Sequence, residues 1–370
     1  MRRVIDRALA VRNRLLLSPA FHRWSTKTPI VRRFAAKEAR AAFELVAGFV
    51  YSQILYACVT LGVFEALKDG PQDCAALASR VGLTPKAAKR LALAAVSLRL
   101  LETRGPNRFG LGPLGAAVMA NPGVLKMIEH HRVFYDDMRD PVALLWGEAG
   151  ETNLQRFWPY AIGQSQGALT DGAIADYTAL MAGSQSLVAE VILDAYALKP
   201  HRCLLDIGGG DGTFLSAVAK RAPHLNLMLF DLSPVAARAA GRLASEGLGH
   251  RAQVFGGNFQ SDAIPTGADI VSLVRIIHDH DDAIVNALLA AVHRALPPGG
   301  RLLIAEPMSG TPGAEPVGDA YFGFYLMAMG SGRPRTAAEI IAMAKAAGFA
   351  SARHIKTRMP LQASLVVANA

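Results

Sequence analysis

The chain has 370 residues, 51% hydrophobic and 19% charged, with a formal net charge of +9. That length suits two domains or one large one, and the apolar share excludes a disordered chain. Nothing repeats at a period of roughly 20–50 residues, no window carries the roughly 18 apolar residues of a membrane span, and Cys58, Cys74 and Cys203 are too scattered for a disulfide framework or a zinc site. The expectation is a soluble protein of a reducing compartment.

The charge is unevenly placed. Residues 1–40 hold eleven Lys and Arg against Asp6 and Glu38, which is the whole excess, and the remaining 330 residues hold 28 charges of each sign. In this arm Val4, Ile5, Ala8, Leu9, Leu15 and Leu16 can share a helical face opposite Arg3, Arg7 and Arg14. A basic amphipathic helix favours an anionic membrane surface. A frayed terminus, a segment packed on a partner subunit and an Arg-rich transit peptide are the plainer alternatives.

From Ala41 the pattern predicts a buried helix over Phe43–Cys58, then a short one over Leu61–Leu67. Asp73 can cap a helix running to Val81, Gly82 turns the chain, and Thr84-Pro85 opens a helix to about Leu98. Leu100–Leu111 reads as two short strands around Gly105-Pro106-Asn107. Helix, turn, helix and hairpin make a winged helix. The second helix carries Lys86, Lys89 and Arg90 but is otherwise filled by Ala and Leu, so it offers little to base edges or phosphates. An internal dimerisation or packing role is expected, with no nucleic acid.

Residues 121–198 read as mostly helical, with Phe134, Trp146, Trp158 and the Tyr177–Met181 stretch among the large apolar positions. Beyond Pro200, apolar runs at Cys203–Ile207, Leu225–Phe230, Gln253–Phe255, Ile270–Val274 and Arg301–Glu306 alternate with helices at Phe214–Arg221, Pro234–Glu246 and Asp282–Leu296. That alternation predicts an α/β fold with a parallel, doubly wound, Rossmann-like sheet. The expected organisation is a basic arm over 1–40, a helical winged-helix domain over 41–187 and the α/β domain over 188–370.

The first strand runs into Asp206-Ile207-Gly208-Gly209-Gly210-Asp211-Gly212-Thr213. A dinucleotide fingerprint would place its third glycine at Thr213, so the pattern is instead D-x-G-x-G-x-G, and the acid ahead of the glycines suits an ammonium group rather than a pyrophosphate. Asp231 ends the second strand, where a carboxylate meets ribose hydroxyls. Asn258 and Phe259 follow the third strand, one polar and one aromatic side chain where an adenine would lie. Together Asp206, Gly208, Gly210, Asp231, Asn258 and Phe259 predict an adenosyl-ligand site.

At this point the sequence resembles S-adenosylmethionine-dependent methyltransferases, and among them the small-molecule O-methyltransferases of the plant caffeate and bacterial secondary-metabolite type. The resemblance rests on the winged-helix segment, Leu204-Leu205-Asp206-Ile207-Gly208-Gly209-Gly210-Asp211-Gly212, Arg275-Ile276-Ile277-His278-Asp279-His280-Asp281-Asp282 and Pro297–Pro307. It implies S-adenosyl-L-methionine as cofactor, a homodimer, His278 as general base with Asp279 beside it, Glu306 bracing that base, and Arg275 on the cofactor. A hydroxyl base needs no metal here, although His278 and His280 two residues apart could also suggest a metal pair, and Asp281 or Asp282 could simply cap the next helix. Two positions depart from the family: Asn258 stands where an acid is usual, and Pro334 stands where a second glutamate would brace the histidine.

The stretches Glu306–Gly310 and Gly318–Thr336 look like the carotenoid hydroxyl O-methyltransferases of purple phototrophic bacteria. Tyr321, Phe322, Phe324, Tyr325, Met327 and Met329 add an aromatic and methionine cluster fit for a long apolar ligand. Phe134, Met181, Phe322, Tyr325 and Met329 are the expected substrate-pocket residues. The implied activity is O-methylation of a tertiary carotenoid hydroxyl, in the cytoplasm or at the face of an inner or photosynthetic membrane reached through residues 1–40. A phenolic, polyketide or tetrapyrrole substrate is the competing expectation, and a winged-helix ligand-sensing regulator is the reading of another class.

Overall fold

The computed structural model describes residues 2–158, 183, 185 and 187–370. They form two compact units that divide after Ala120.

The first unit opens with three helices, α1 (Arg2–Leu16), α2 (Pro19–Lys27) and α3 (Pro29–Thr60). The Ser18 hydroxyl accepts the Phe21 N–H to start α2, with proline at the first helical position. The winged-helix reading is then realised in order. Asp73 caps α5 (Cys74–Arg80) by accepting the N–H groups of Ala75 and Ala76, and Thr84 caps α6 (Pro85–Ser97). Strands β2 (Leu101–Thr103) and β3 (Arg108–Leu111) pair antiparallel, with β1 (Gln72–Asp73) on the outer side of β3. Ala88, Ala92 and Ala95 face inward on α6 and let it lie close to its neighbours.

Helix α3 departs from two expectations. It is long and apolar enough, by length and composition, to cross a membrane. It is also not buried: Leu45 is 84% exposed and Phe49 72%. The sequence from Phe43 to Thr60 holds one charge, Glu44, but Ser52, Gln53 and Thr60 interrupt its apolar run, which hid its overall hydropathy. Among the described residues its apolar face from Phe43 to Phe49 has no cover.

The second unit begins with α8 (Pro122–Asp137), α9 (Pro141–Trp146) and α10 (Asn153–Phe157). The helical segment after Asn121 belongs with this unit by its contacts, because Phe134, Leu144, Leu154 and Trp158 share a buried cluster with Tyr325, Leu326 and Met329. The Tyr177–Met181 stretch lies outside the described residues.

The sheet that follows has seven strands, β4 (Cys203–Ile207), β5 (Asn226–Asp231), β6 (Ala252–Gly256), β7 (Ile270–Val274), β8 (Arg301–Glu306), β9 (Ser351–Ile355) and β10 (Ser364–Asn369). Their order is β6-β5-β4-β7-β8-β10-β9. The first five in that order run parallel, as expected. The C-terminal hairpin was not foreseen: β10 inserts antiparallel between β8 and β9. Helices α11 (Thr213–Arg221), α12 (Ser233–Ser245) and α13 (Asp282–Ala295) connect the parallel strands.

Alternate residues fill the two faces. Leu204, Leu227, Leu229 and Ile270 pack on one side with Phe214 and Leu215, whereas Leu205, Ile207, Met228, Phe230 and Leu273 pack on the other with Leu288 and Leu289. Strand order reverses between β4 and β7, so their carboxyl ends diverge into a crevice, the place where open α/β sheets hold ligands.

Candidate active site

The glycine loop leaves β4 with Gly208 at φ +68° and Gly210 at φ +59°, conformations that side-chain-bearing residues seldom adopt. At Gly208 a Cβ would also stand 2.4 Å from Ile276 Cδ1. The Gly208 N–H donates to the Phe230 carbonyl at 2.8 Å and the Gly210 N–H to Asp231 Oδ2 at 2.8 Å. Asp231 Oδ1 accepts the Leu232 N–H at 2.7 Å, so this carboxylate ties the glycine loop to the tip of β5. Burial pushes Asp231 up to about 6 against those two donors.

Asp206 is almost wholly buried one strand residue before the loop. It sits in register with Ser272 on β7, whose hydroxyl donates to Asp206 Oδ1 at 2.6 Å. Its Oδ2 is buried without a partner and aims at the glycine loop, 2.8 Å from where a Gly209 side chain would begin. Burial pushes Asp206 up to about 7, the Ser272 hydrogen bond opposes the rise, and Asp231 adds to it. A desolvated carboxylate oxygen aimed at a loop without side chains fits a cationic ligand group.

Past β6, Asn258 Oδ1 accepts the Gln260 N–H at 3.0 Å and its own N–H donates to Asp262 Oδ2 at 2.8 Å, so Asn258 shapes its loop. Phe259 is half-buried and packs edge-on against His280, with ring centroids 5.2 Å apart.

Strand β7 is followed by Arg275, a non-glycine residue at φ +58°. This is a sparsely populated conformation of the kind that surrounding structure must hold in place. A single turn, Ile277–Asp279, follows. Glu306, buried at the end of β8, accepts the N–H groups of Ile276 and Ile277 on Oε1, each at 2.9 Å. Its Oε2 accepts the Nδ1–H of His278 in a short hydrogen bond. That leaves Nε2 as the reactive nitrogen, and Nε2 lies 3.1 Å from Asp279 Oδ1. Two acceptors at that separation require a proton between them. Burial pulls His278 down, but Asp279 and Glu306 outweigh it, so its net shift is upward. Asp279 is itself pushed up by burial, against the pull of His278.

Pro334 does not contact this histidine's side chain in place of a glutamate; its neighbours hold the histidine's backbone. The Arg333 N–H donates to the His278 carbonyl at 2.9 Å. The buried Arg335 guanidinium donates to the carbonyls of Ile277 and, at 2.8 Å, His280, and pairs with Asp282 at 2.6 Å. Gly332 is packed so tightly there that a Cβ would stand 2.1 Å from the His278 carbonyl oxygen.

A cavity of about 330 Å³ opens onto this turn. Arg275, His278 and Asp279 form one end, and the other walls include Val124, Met127, Val188, Val317, Phe322 and Tyr325. Phe322 and Tyr325 therefore line it as expected. They are presented by a π-helical turn, Pro316–Phe322, that continues into α14 (Gly323–Met329); such turns often mark functional sites. Phe134 and Met329 stand behind the wall: Phe134 packs its ring on Tyr321 and Tyr325, and Met329 is fully buried below. Met181 lies outside the described residues.

Sequence reasoning missed a second polar group in this cavity. His131 Nε2 lies 2.9 Å from the Tyr321 hydroxyl, and His130 Nε2 lies 2.7 Å from the Tyr325 hydroxyl, which also accepts the Trp158 Nε1–H at 2.9 Å. Burial lowers both histidines, His130 to about 4, so they serve as neutral partners. The pair His130-His131, with His131 one helical turn before Phe134, was the available signal.

A glycine loop over an orphaned acid, at the switch point of a mostly parallel sheet, beside a histidine braced by glutamate, defines a group-transfer enzyme with an adenosyl-type site. Residues 135–350 match the model of the O-methyltransferase domain, and residues 43–121 that of the O-methyltransferase dimerisation domain. The chain is 44% identical to a demethylspheroidene O-methyltransferase of Cereibacter sphaeroides, covering 96% of this chain and 93% of the relative, and 40% identical to that of Rhodobacter capsulatus, covering 96% and 88%. A phenazine O-methyltransferase of Lysobacter antibioticus is 29% identical over 85% of this chain and 92% of its own. Among solved structures, LaPhzM superposes with a TM-score of 0.73 at 27% identity, covering 90% of this chain and 98% of that one. The chain belongs to the S-adenosylmethionine-dependent O-methyltransferases. Its dimerisation domain supports a homodimer.

Two outcomes follow from this geometry. The folded value of Asp206 lies above the ordinary carboxylate value of 3.8, so the folded state holds the proton more tightly and stability falls as pH rises from there to about 7. Asp206→Asn keeps the bond to Ser272 without the buried charge. Thermal melting of the ligand-free protein should show the variant gaining over wild type across that interval, with a plateau above it; a pH-independent difference would contradict the assignment. Arg335→Met should cost a few kcal/mol in denaturant unfolding, about 1–3 kcal/mol for each orphaned carbonyl, with Arg335→Lys intermediate because an ammonium cannot fork between three acceptors.

Proposed function

We propose that this enzyme methylates a hydroxyl of an apolar carotenoid, and that the residues gathered at the switch point perform it. The observation that carries the reading is the cavity itself: apolar walls converge on one buried imidazole that is held by its other nitrogen. The two relatives named as demethylspheroidene O-methyltransferases, each matching 96% of the chain, support that substrate class.

S-adenosylmethionine, when bound, supplies an electrophilic methyl group carried on a sulfonium. Asp206 would hold its ammonium group, since its Oδ2 is the one buried carboxylate oxygen without a partner among the described residues and it faces the glycine loop. Asp231 would meet the ribose hydroxyls beyond the backbone donors it already accepts, with Gly208 and Gly210 leaving room for the ligand. Asn258 and Phe259 would flank the adenine, and Arg275 would close the site beside the donor. In this reading residues 41–187 dimerise and wall the substrate site, and residues 188–370 bind the donor.

His278 Nε2 takes the hydroxyl proton. Glu306 keeps Nδ1 protonated, fixes the ring and stabilises the imidazolium that forms. An aliphatic alcohol is a far weaker acid than a phenol, so proton removal leans heavily on this positioning. Asp279 stabilises the same cation from the other side. Because the neutral imidazole is the active form and its pKa is raised, the acid limb of the rate profile lies above the ordinary histidine value of 6.5. The cavity is at the small end of ligand pockets, so a long polyene enters by its hydroxylated end. The remainder stays outside, which suits an enzyme placed at a membrane surface through residues 1–40.

The deciding experiment incubates the enzyme with S-adenosylmethionine and hydroxylated carotenoids and follows products by mass spectrometry. A gain of one methylene on a carotenoid is expected, and methylation confined to phenols or tetrapyrroles would overturn the substrate class. His278→Ala should lower turnover by about 10²–10⁴-fold with donor affinity nearly unchanged. Asp279→Asn removes one of the charges that raise His278, so the acid limb should move to lower pH; an unmoved limb would remove Asp279 from the mechanism.

A further inference from the structure

We propose that α1, α2 and the first turns of α3 form a docking surface for anionic lipid headgroups, lying flat at the interface with apolar side chains inward. It deepens the reading above by saying where the apolar substrate is met, but it rests on features of its own. Every described side chain from Arg3 to Leu17 is exposed, so nothing among the described residues covers α1. Val4, Ala8, Val11 and Leu15 recur at the spacing of one helical stripe, and Ile5, Leu9 and Leu16 make the adjacent one. Arg3, Arg7 and Arg14 form a separate stripe away from that face, with Arg12 within it, and long arginine stems can reach outward from an immersed helix.

The pattern continues along the arm. Trp24 on α2 is 53% exposed, and Ile30 and Phe34, one turn apart on α3, are 76% and 68% exposed. Arg33, Lys37 and Arg40 run as a stripe beside them. These residues precede the matched dimerisation domain, which starts at residue 43 and contains the exposed Phe43, Leu45, Val46 and Phe49.

Charge selects the occupant. The arm carries eleven cationic side chains against two acids, and the rest of the chain is neutral overall. A second copy brings an equally cationic arm on a body that is neutral overall. A nucleic acid would satisfy the arginines but leave the apolar stripes in water. An anionic bilayer satisfies both at once. The relatives that match 96% of the chain leave about 15 residues unmatched, so most of the forty-residue arm lies within what the chain shares with them.

The test uses full-length protein and cosedimentation with vesicles of phosphatidylcholine alone or mixed with phosphatidylglycerol. Binding to the anionic vesicles is expected, weakened by salt, with little binding to the neutral ones. Replacing Arg3, Arg7 and Arg14 together by Gln should weaken it on the order of a hundredfold, about fivefold for each basic residue. Val4→Asp with Val11→Asp should weaken it even at low salt, while turnover of a detergent-dispersed substrate stays unchanged. Equal binding to both vesicle types, no binding, or undiminished binding by either variant would overturn the proposal. A loss of oligomerisation in light scattering without loss of vesicle binding would assign the face to a second copy and overturn it too. Because no substrate is present, vesicle binding by an enzyme that fails to methylate carotenoids would leave this surface standing and sink only the substrate reading.

Discussion

Everything at the active site hangs from the carboxylate of Glu306. It is buried at the last residue of β8, a place where an ionised group costs stability unless every lone pair is used. One oxygen takes the N–H groups of Ile276 and Ile277; the other takes the Nδ1–H of His278. The same group therefore shapes the turn and sets the tautomer of the side chain that the turn presents. Removing it would leave two buried N–H groups and an imidazole without a partner, so architecture and chemistry fail together.

The turn is held from outside as well. Its N–H groups go to Glu306, and its carbonyls at Ile277, His278 and His280 go to Arg335 and to the Arg333 N–H. Pairing on both sides of this short segment holds the left-handed backbone of Arg275 immediately before it. It also explains how Pro334 is tolerated. Proline lacks an N–H and a side-chain acceptor, but its fixed backbone presents Arg333 and Arg335 on either side. A carboxylate on the Nε2 side is still supplied, by Asp279 from within the turn. Orientation has passed from a second side-chain brace to the backbone.

Much of the fold was legible because it obeys simple periods. Cys203–Ile207, Ile270–Val274 and Arg301–Glu306 are continuous apolar runs buried on both faces, and they are strands to the residue. Asp73 and Thr84-Pro85 announced their helices by capping chemistry that acts locally. The C-terminal hairpin was less visible, since β9 is a polar edge strand, Ser351–Ile355, without the apolar run of its neighbours. The exposure of α3 was illegible for another reason: a face that a partner subunit covers has the same composition as one covered by the chain itself. Among site residues, His278 and Glu306 come together as the resemblance implied. Ser272, Arg335 and His131 were missed because their roles depend on register and on distant segments: Ser272 matters only because β7 places it beside Asp206. Phe134 and Met329 share the composition of the cavity wall but sit one layer behind it, a distinction that helical spacing cannot make.

The enzyme's two halves of charge now divide its work. The catalytic unit pairs its buried ions locally, Glu306 with His278 and Arg335 with Asp282, while Asp206 takes a serine hydroxyl on one oxygen and leaves the other for the proposed ligand cation. Such pairing gives no long-range attraction, so the body has no means of finding an apolar substrate dissolved in lipid. A cavity of about 330 Å³ adds a constraint, because it admits one end of a long chain and leaves the rest needing an apolar surrounding. On the proposed lipid docking, an arm that holds the whole excess of positive charge next to exposed apolar stripes would answer both needs without disturbing the neutral interior. Separating the attracting charge from the reacting charge also lets each be tuned alone: His278 is set by carboxylates within hydrogen-bond reach, where salt screens little, and the arm by exposed groups that salt screens strongly.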